Sequence, residues 1–252
     1  MKVPHTNCLG QTVWVDEEAL YGEQPELGDE FDEMDSLFEE QLKEELEELL
    51  EPHHRDMLVV KSRISYECIF ERGYFSATAA EELGQLGFAR FQQRVPALGI
   101  PIHDVDGNVP FCRDGPDNPR SSSEKPDKFV KYEQPAGTGL VLDVPPTSQA
   151  DLQNPNQRLW ITEGEKKADS LASQGECVIG LLGIWGWKRA GKPLADWQKI
   201  PLSNREVCVA FDADIVNKTP VQQALRGLVE FLRAQGARVR IVRLEQVRKK
   251  KI

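Results

Sequence analysis

The 252-residue chain is long enough to bury a core as one large domain or two small ones, and with 29% charged residues, no apolar run of bilayer-spanning length and no charged-then-apolar N-terminal leader it is expected to have no membrane role. Its five cysteines, at 8, 68, 112, 177 and 208, include no C-x-x-C pair, which excludes a disulfide framework or cysteine-ligated zinc module and fits a reducing cytoplasm. The formal net charge of −10 is local, because residues 1–51 hold 17 of the 41 acids and only 2 of the 31 bases, leaving a mildly basic body compatible with a polyanionic partner.

Residues 1–28 mix Gly and Pro with little periodicity and are expected to be loosely ordered. In residues 29–51, Leu37, Phe38, Leu42, Leu46, Leu49 and Leu50 are interleaved with Glu at helical spacing, which predicts a helix with an acidic face. Such a segment is either a solvated helical face, a docking arm, or a mimic of nucleic acid lying in a basic cleft. Residues 52–98 read as short helices, with Thr78 and Glu81 at capping-box spacing. His53-His54 and His103 have no partner at ligand spacing in the sequence, so no metal role is expected of them. Residues 99–113 predict a hairpin: Ile100, Ile102 and Val105 lead into Asp106-Gly107, and Val109 and Phe111 follow. The polar stretch 114–127 reads as a loop, and 128–144 resumes strand-like patterning. Residues 145–157, rich in Pro, Asn, Gln and Ser, read as a linker. The expected organisation is an acidic N-terminal segment (1–51), a smaller α+β domain (52–150) and an α/β domain (151–252).

The last hundred residues alternate apolar strands (158–163, 177–182, 206–212, 237–244) with amphipathic helices (165–174, 219–235). That order predicts a mainly parallel sheet covered on both faces. Ligands bind such sheets at the carboxyl ends of strands. Glu163 ends the first strand there, and Asp212 and Asp214, two apart, end the third. Three carboxylates suit Mg²⁺ or Mn²⁺ beside a phosphate. Gly164 permits close backbone approach, and the helix start beyond it favours a phosphate, within reach of Lys166 and Lys167. The loop Trp185-Gly186-Trp187-Lys188-Arg189 either stacks and pairs with nucleic acid or sends a tryptophan into the core. No Ser-His-Asp arrangement and no Gly-x-x-x-x-Gly-Lys-Ser/Thr loop is present.

Glu163-Gly-Glu-Lys-Lys-Ala-Asp169 and Phe211-Asp-Ala-Asp214, with the upstream hairpin at 100–109, Arg113 and Lys131-Tyr132, resemble bacterial primases and related replication proteins of plasmids, phages and integrated elements. The resemblance covers roughly residues 52–244. It implies a Toprim domain, a Rossmann-like fold whose acids, here Glu163, Asp212 and Asp214, bind Mg²⁺, with Glu163 also serving catalysis. It further implies that Arg113, Lys128 and Lys131 face template or nucleotide, and that the protein works beside a replicative helicase. The Trp-Gly-Trp loop, the lack of a preceding zinc module and the ending at Arg248-Lys-Lys-Lys-Ile252 depart from cellular primases and predict a shortened or stand-alone version. The expected function is Mg²⁺-dependent nucleotidyl transfer on single-stranded DNA during replication of a mobile element. The alternatives are a Toprim nuclease acting on DNA or RNA, and a non-catalytic accessory that binds nucleic acid or helicase.

Overall fold

The computed structural model describes residues 2–6, 12–16, 28–122, 127–211 and 219–243. By contacts the chain divides into two compact units, Met1–Gln41 and Leu42–Ile252.

The first unit holds a hairpin where loose order was expected. Strands β1 (Lys2–Thr6) and β2 (Thr12–Asp16) are antiparallel, with Val3 opposite Val15 and His5 opposite Val13. The signal was the run Thr12-Val13-Trp14-Val15, all β-branched or aromatic residues, which suits a pleated strand. Helix α1 (Gly28–Leu49) then follows, as its spacing predicts.

Within the second unit, Leu42, Leu46 and Leu50 are buried at i, i+4 intervals, whereas Leu49 stays exposed. Next come α2 (Pro52–Asp56), a single π-helical turn over Met57–Lys61, and α3 (Tyr66–Arg72). Helix α3 starts where Ser65 Oγ accepts the Cys68 N–H and stops at Gly73, whose φ of +77° a side chain would resist. Strand β3 (Phe75–Ala77) and helix α4 (Ala80–Gln85) lead to β4 (Ala97–Ile102) and β5 (Phe111–Pro116). Helix α4 starts one residue later than Thr78 suggested, because the Glu82 carboxylate, not Glu81, accepts both the Thr78 and Ala79 N–H groups.

Strands β3, β4 and β5 form an antiparallel sheet in that order, so the hairpin stands. Its connection is wider than two residues. Asp104 Oδ1 accepts the Asp106 and Asn108 N–H groups at 2.9 Å, while His103 leaves the ladder to bond residues 143 and 144. Residues 128–144 make isolated bridges rather than a strand: Phe129 with Ser121, Glu133 with Asp114, and Asp143 with Gly180.

The expected linker is part of the core. Residues Pro146–Ser148 form a 3₁₀ turn, α5 (Gln149–Leu152) follows, and Leu152 is buried. The remaining elements are β6 (Leu159–Glu163), α6 (Glu165–Ala172), β7 (Cys177–Leu181), a small hairpin of β8 (Lys188–Arg189) and β9 (Lys192–Pro193), β10 (Glu206–Phe211), α7 (Thr219–Ala234) and β11 (Arg238–Arg243). The sheet order is β11-β10-β6-β7, all parallel.

Period-two alternation assigns each sheet face its cover. Leu159, Ile161, Cys177, Ile179, Val207 and Val209 share a core with Leu225, Leu228 and Leu232 of α7. Val178 on the opposite face packs with Ala168 and Ala172 of α6, and with Leu46, Ile69, Leu98 and Ile100 from the N-terminal half. The antiparallel part and the parallel sheet thus bury one another, which is why residues 42–252 form one body rather than two domains divided near residue 150. The α/β class expected from the sequence, a parallel sheet with helices on both faces, is the one observed.

Candidate functional site

The order β11-β10-β6-β7 fixes where a ligand would bind. From β6 the chain crosses through α6 to β7 on one side, and from β10 it crosses through α7 to β11 on the other. Neighbouring strands whose connections diverge leave a crevice at their carboxyl ends. Glu163, half-buried, closes β6 at this crevice. Thr162 Oγ1 donates to the Ala210 carbonyl at 2.9 Å and pins the two strands one residue before their ends. Gly164 has φ +89°, and a Cβ there would touch nothing, so glycine answers a backbone demand in open space. Phe211 is the last described residue of β10. Asp212 and Asp214, next in sequence, lie outside the described residues, as does everything that rests on them.

Beside Glu163, α6 and β5 bring several sequence-predicted residues together. The Arg113 guanidinium bonds the Glu165 carboxylate, which is 3% exposed, and sits 5.4 Å from the centre of the Tyr132 ring. Lys166 Nζ lies 5.4 Å from the same ring and donates to Met57 Sδ at 3.1 Å. Tyr132 is therefore flanked by two cations, an arrangement that favours both through its negative faces. Lys128 and Lys131 are exposed on the strand-like segment that carries Tyr132, and Lys167 is half-buried on α6. Phe129, between Lys128 and Lys131, is 63% exposed, an aromatic the sequence reading passed over.

The Trp-Gly-Trp loop splits. Trp187 is a core residue, stacked on Phe231 at 5.6 Å between ring centres, so its expected contact with nucleic acid is withdrawn. Trp185 remains 38% exposed, with Lys188 Nζ 4.4 Å from its ring centre. Arg189 is exposed beside the turn Ala190-Gly191, where both residues have positive φ, as a two-residue hairpin turn requires.

Beneath this surface lies a polar network with no sequence signature. Arg72 donates to both oxygens of Asp143, at 2.8 and 3.1 Å, to Asp169 Oδ1 at 2.6 Å, and to the Pro101 carbonyl at 3.0 Å. Tyr74 Oη donates to Asp169 Oδ2 at 2.6 Å, and the His103 N–H to Asp143 Oδ1 at 3.2 Å. All three charged groups are buried. Burial pushes Asp169 up to about 6 against the pull of Arg72, while the two carboxylates hold Arg72 fully charged. Because Asp169 is on α6, the network positions the helix that opens directly after Glu163.

Asp114 on β5 is different. It is buried, and neither carboxylate oxygen finds a hydrogen-bond partner among the described residues. Burial, with the nearby Glu133 charge, pushes its carboxyl from 3.8 to about 6. A raised acid pKa in the folded state means that stability falls as pH rises from about 4 through about 6, as the buried group ionises. Asp114→Asn will therefore stabilise the protein by about 1–2 kcal/mol near pH 7.5, and the gain will be nearly gone by about pH 4. Urea denaturation at the two pH values checks it.

Comparison with known proteins gives three findings. Residues 149–252 match a family model described as a domain of unknown function, DUF3854. An uncharacterized protein of Picosynechococcus sp. is 28% identical over 185 residues, covering 59% of this chain and 18% of that relative, so the chain spans under a fifth of that relative's length. Among solved structures, the zinc-binding and RNA polymerase domains of the Aquifex aeolicus primase align with a TM-score of 0.50 at 15% identity, over 75% of this chain and 49% of that one. A DNA primase domain from Pseudomonas aeruginosa aligns with a TM-score of 0.50 at 16% identity, over 83% and 71%. Similarity of this degree establishes a primase-like fold. Among the described residues no helix is long and apolar enough to cross a membrane.

Proposed function

We propose that this protein is a metal-dependent, primase-like nucleotidyltransferase acting on single-stranded DNA and nucleotides. The observation that carries the reading is the crevice between β6 and β10, with Glu163 at its edge and Arg113, Tyr132 and Lys166 beside it. Carboxylate oxygens are the donors that Mg²⁺ and Mn²⁺ take, and Glu163 with Asp212 and Asp214 is the set that would hold one. Bound there, the cation supplies charge neutralisation for in-line displacement at phosphorus. Glu163 would hold or move a proton at the attacking oxygen. Lys166 and Lys167, with the first turn of α6, would pair with phosphate, and Arg113, Lys128 and Lys131 would track the backbone of the template. Trp185 with Lys188 and Arg189 would offer a stacking platform flanked by cations. The proposed setting, replication of a plasmid, phage or integrated element beside a replicative helicase in the cytoplasm, rests on the family resemblance alone.

The test incubates single-stranded DNA and labelled nucleotides with Mg²⁺ or Mn²⁺, comparing the native chain with Glu163→Gln and Asp212→Asn. The expected result is labelled oligonucleotide, reduced about 10²–10⁴-fold in each variant. Metal-dependent shortening of the DNA, lost in both variants, would replace synthesis by nuclease action. DNA binding without reaction in all three proteins would make the chain a replication accessory.

A further inference from the structure

We propose that His53, His54 and Asp117 form a binding site for one transition-metal cation of the Zn²⁺ class, chemically distinct from the carboxylate site proposed around Glu163. Each residue offers one ligand atom, and these atoms all lie within 4.8 Å of one another. His53 Nε2 is 2.7 Å from Asp117 Oδ2, and His54 Nε2 is 3.1 Å from Asp117 Oδ1. Consecutive residues of an α-helix point about 100° apart. Here the two imidazoles nevertheless converge on one carboxylate, with ring centres 4.1 Å apart. The partner comes from 64 residues away along the chain, at the exit of β5.

The surroundings resemble those of a metal-ligating histidine. His54 is fully buried, and its Nδ1 is hydrogen-bonded to Ser76 Oγ at 2.7 Å. Ser76 Oγ also accepts the Glu51 N–H at 2.7 Å, so the hydroxyl is itself held in place. With its proton on Nδ1 and donated to Ser76 Oγ, the ring would be held in the tautomer whose Nε2 can ligate a cation in place of its bond to Asp117. The side chains of His53 and Asp117 are 48% and 32% exposed, which provides entry and room for a water as fourth ligand. Two imidazoles and one carboxylate suit Zn²⁺ or its Co²⁺ analogue rather than Mg²⁺, which prefers oxygen.

The site would act on the interface. Asp117 opens the loop that leads to Lys128 and Lys131, and it lines a cavity of about 240 Å³ together with Met57, Lys131 and Tyr132. A cation at His53, His54 and Asp117 would tie the base of that loop to α2.

Titration of the full chain with Co²⁺, followed by visible absorption, tests this. The expected result is tetrahedral d–d bands that saturate at one equivalent, no thiolate charge-transfer band, and displacement by Zn²⁺. Affinity will fall at least about tenfold in His53→Ala and in Asp117→Asn, both at solvent-accessible positions and checked for fold by circular dichroism. It will be unchanged in Glu163→Gln. Absence of tetrahedral Co²⁺, a thiolate band, unchanged affinity in both His53→Ala and Asp117→Asn, or loss of the signal in Glu163→Gln would each overturn the proposal.

Discussion

Arg72→Met will destabilise the Leu42–Ile252 unit by about 3–5 kcal/mol. Among the described residues Arg72 is the cation that pairs with Asp143 and Asp169, and all three groups are buried. The variant keeps side-chain volume but leaves two carboxylates in the core without a cation. Each must either stay ionised in a poor dielectric or take up a proton, and either course costs stability. The elements joined by the network are α3, the hairpin strand β4, the segment at residue 143 and helix α6, so the loss will appear as cooperative unfolding rather than local fraying. Tyr74→Phe deletes only the hydroxyl bond to the Asp169 carboxylate and will cost about 1.5–3 kcal/mol. Urea denaturation of the three proteins separates the two cases, and near-equal losses in Arg72→Met and Tyr74→Phe would refute the charge argument.

Arg113→Ala will cost about 2–3 kcal/mol and weaken single-stranded DNA binding, and adding Glu165→Gln will recover part of both. Glu165 is nearly buried and bonded to Arg113, whose own side chain is only 16% exposed. Without the guanidinium, the buried Glu165 carboxylate loses the cation bonded to it and offsets the positive charge proposed to meet phosphate. Glu165→Gln neutralises it, so the two changes will be non-additive by about 1–2 kcal/mol. A double-mutant cycle, read by denaturation and by fluorescence anisotropy with labelled DNA, measures this coupling. Strict additivity would show that Arg113 and Glu165 do not act as a pair.

What the sequence made legible was what repeats or punctuates. The apolar runs at 159–163, 177–181 and 206–211 and the amphipathic helix at 219–234 were readable because one sheet imposes alternating faces and one helix a single stripe. The hairpin was readable from Asp106-Gly107, although its width was set by His103 bonding to Asp143, a contact between distant segments. The division near residue 150 was misread for a related reason. Pro, Asn and Ser mark turns whether or not the turn is buried, and nothing local in 145–157 shows that Leu152 enters the core. In the candidate site, Glu163, Arg113, Tyr132 and Lys166 were legible through motif order. Asp169 stood in the quoted motif without a role, while Arg72, Asp143 and Tyr74 look like ordinary polar residues until the fold brings them together. His53 and His54 were set aside because ligand spacing was sought along the chain, and their partner is spatial.

Glu163, with Asp212 and Asp214, is proposed to hold a divalent cation. The measurement that tests it most directly is Mn²⁺ binding, followed by electron paramagnetic resonance in the presence of single-stranded DNA, for the native chain, Glu163→Gln and Asp212→Asn. Mn²⁺ will bind the native chain and will bind at least about tenfold, or 1.4 kcal/mol, more weakly in each variant. Equal Mn²⁺ affinity in all three proteins would contradict it.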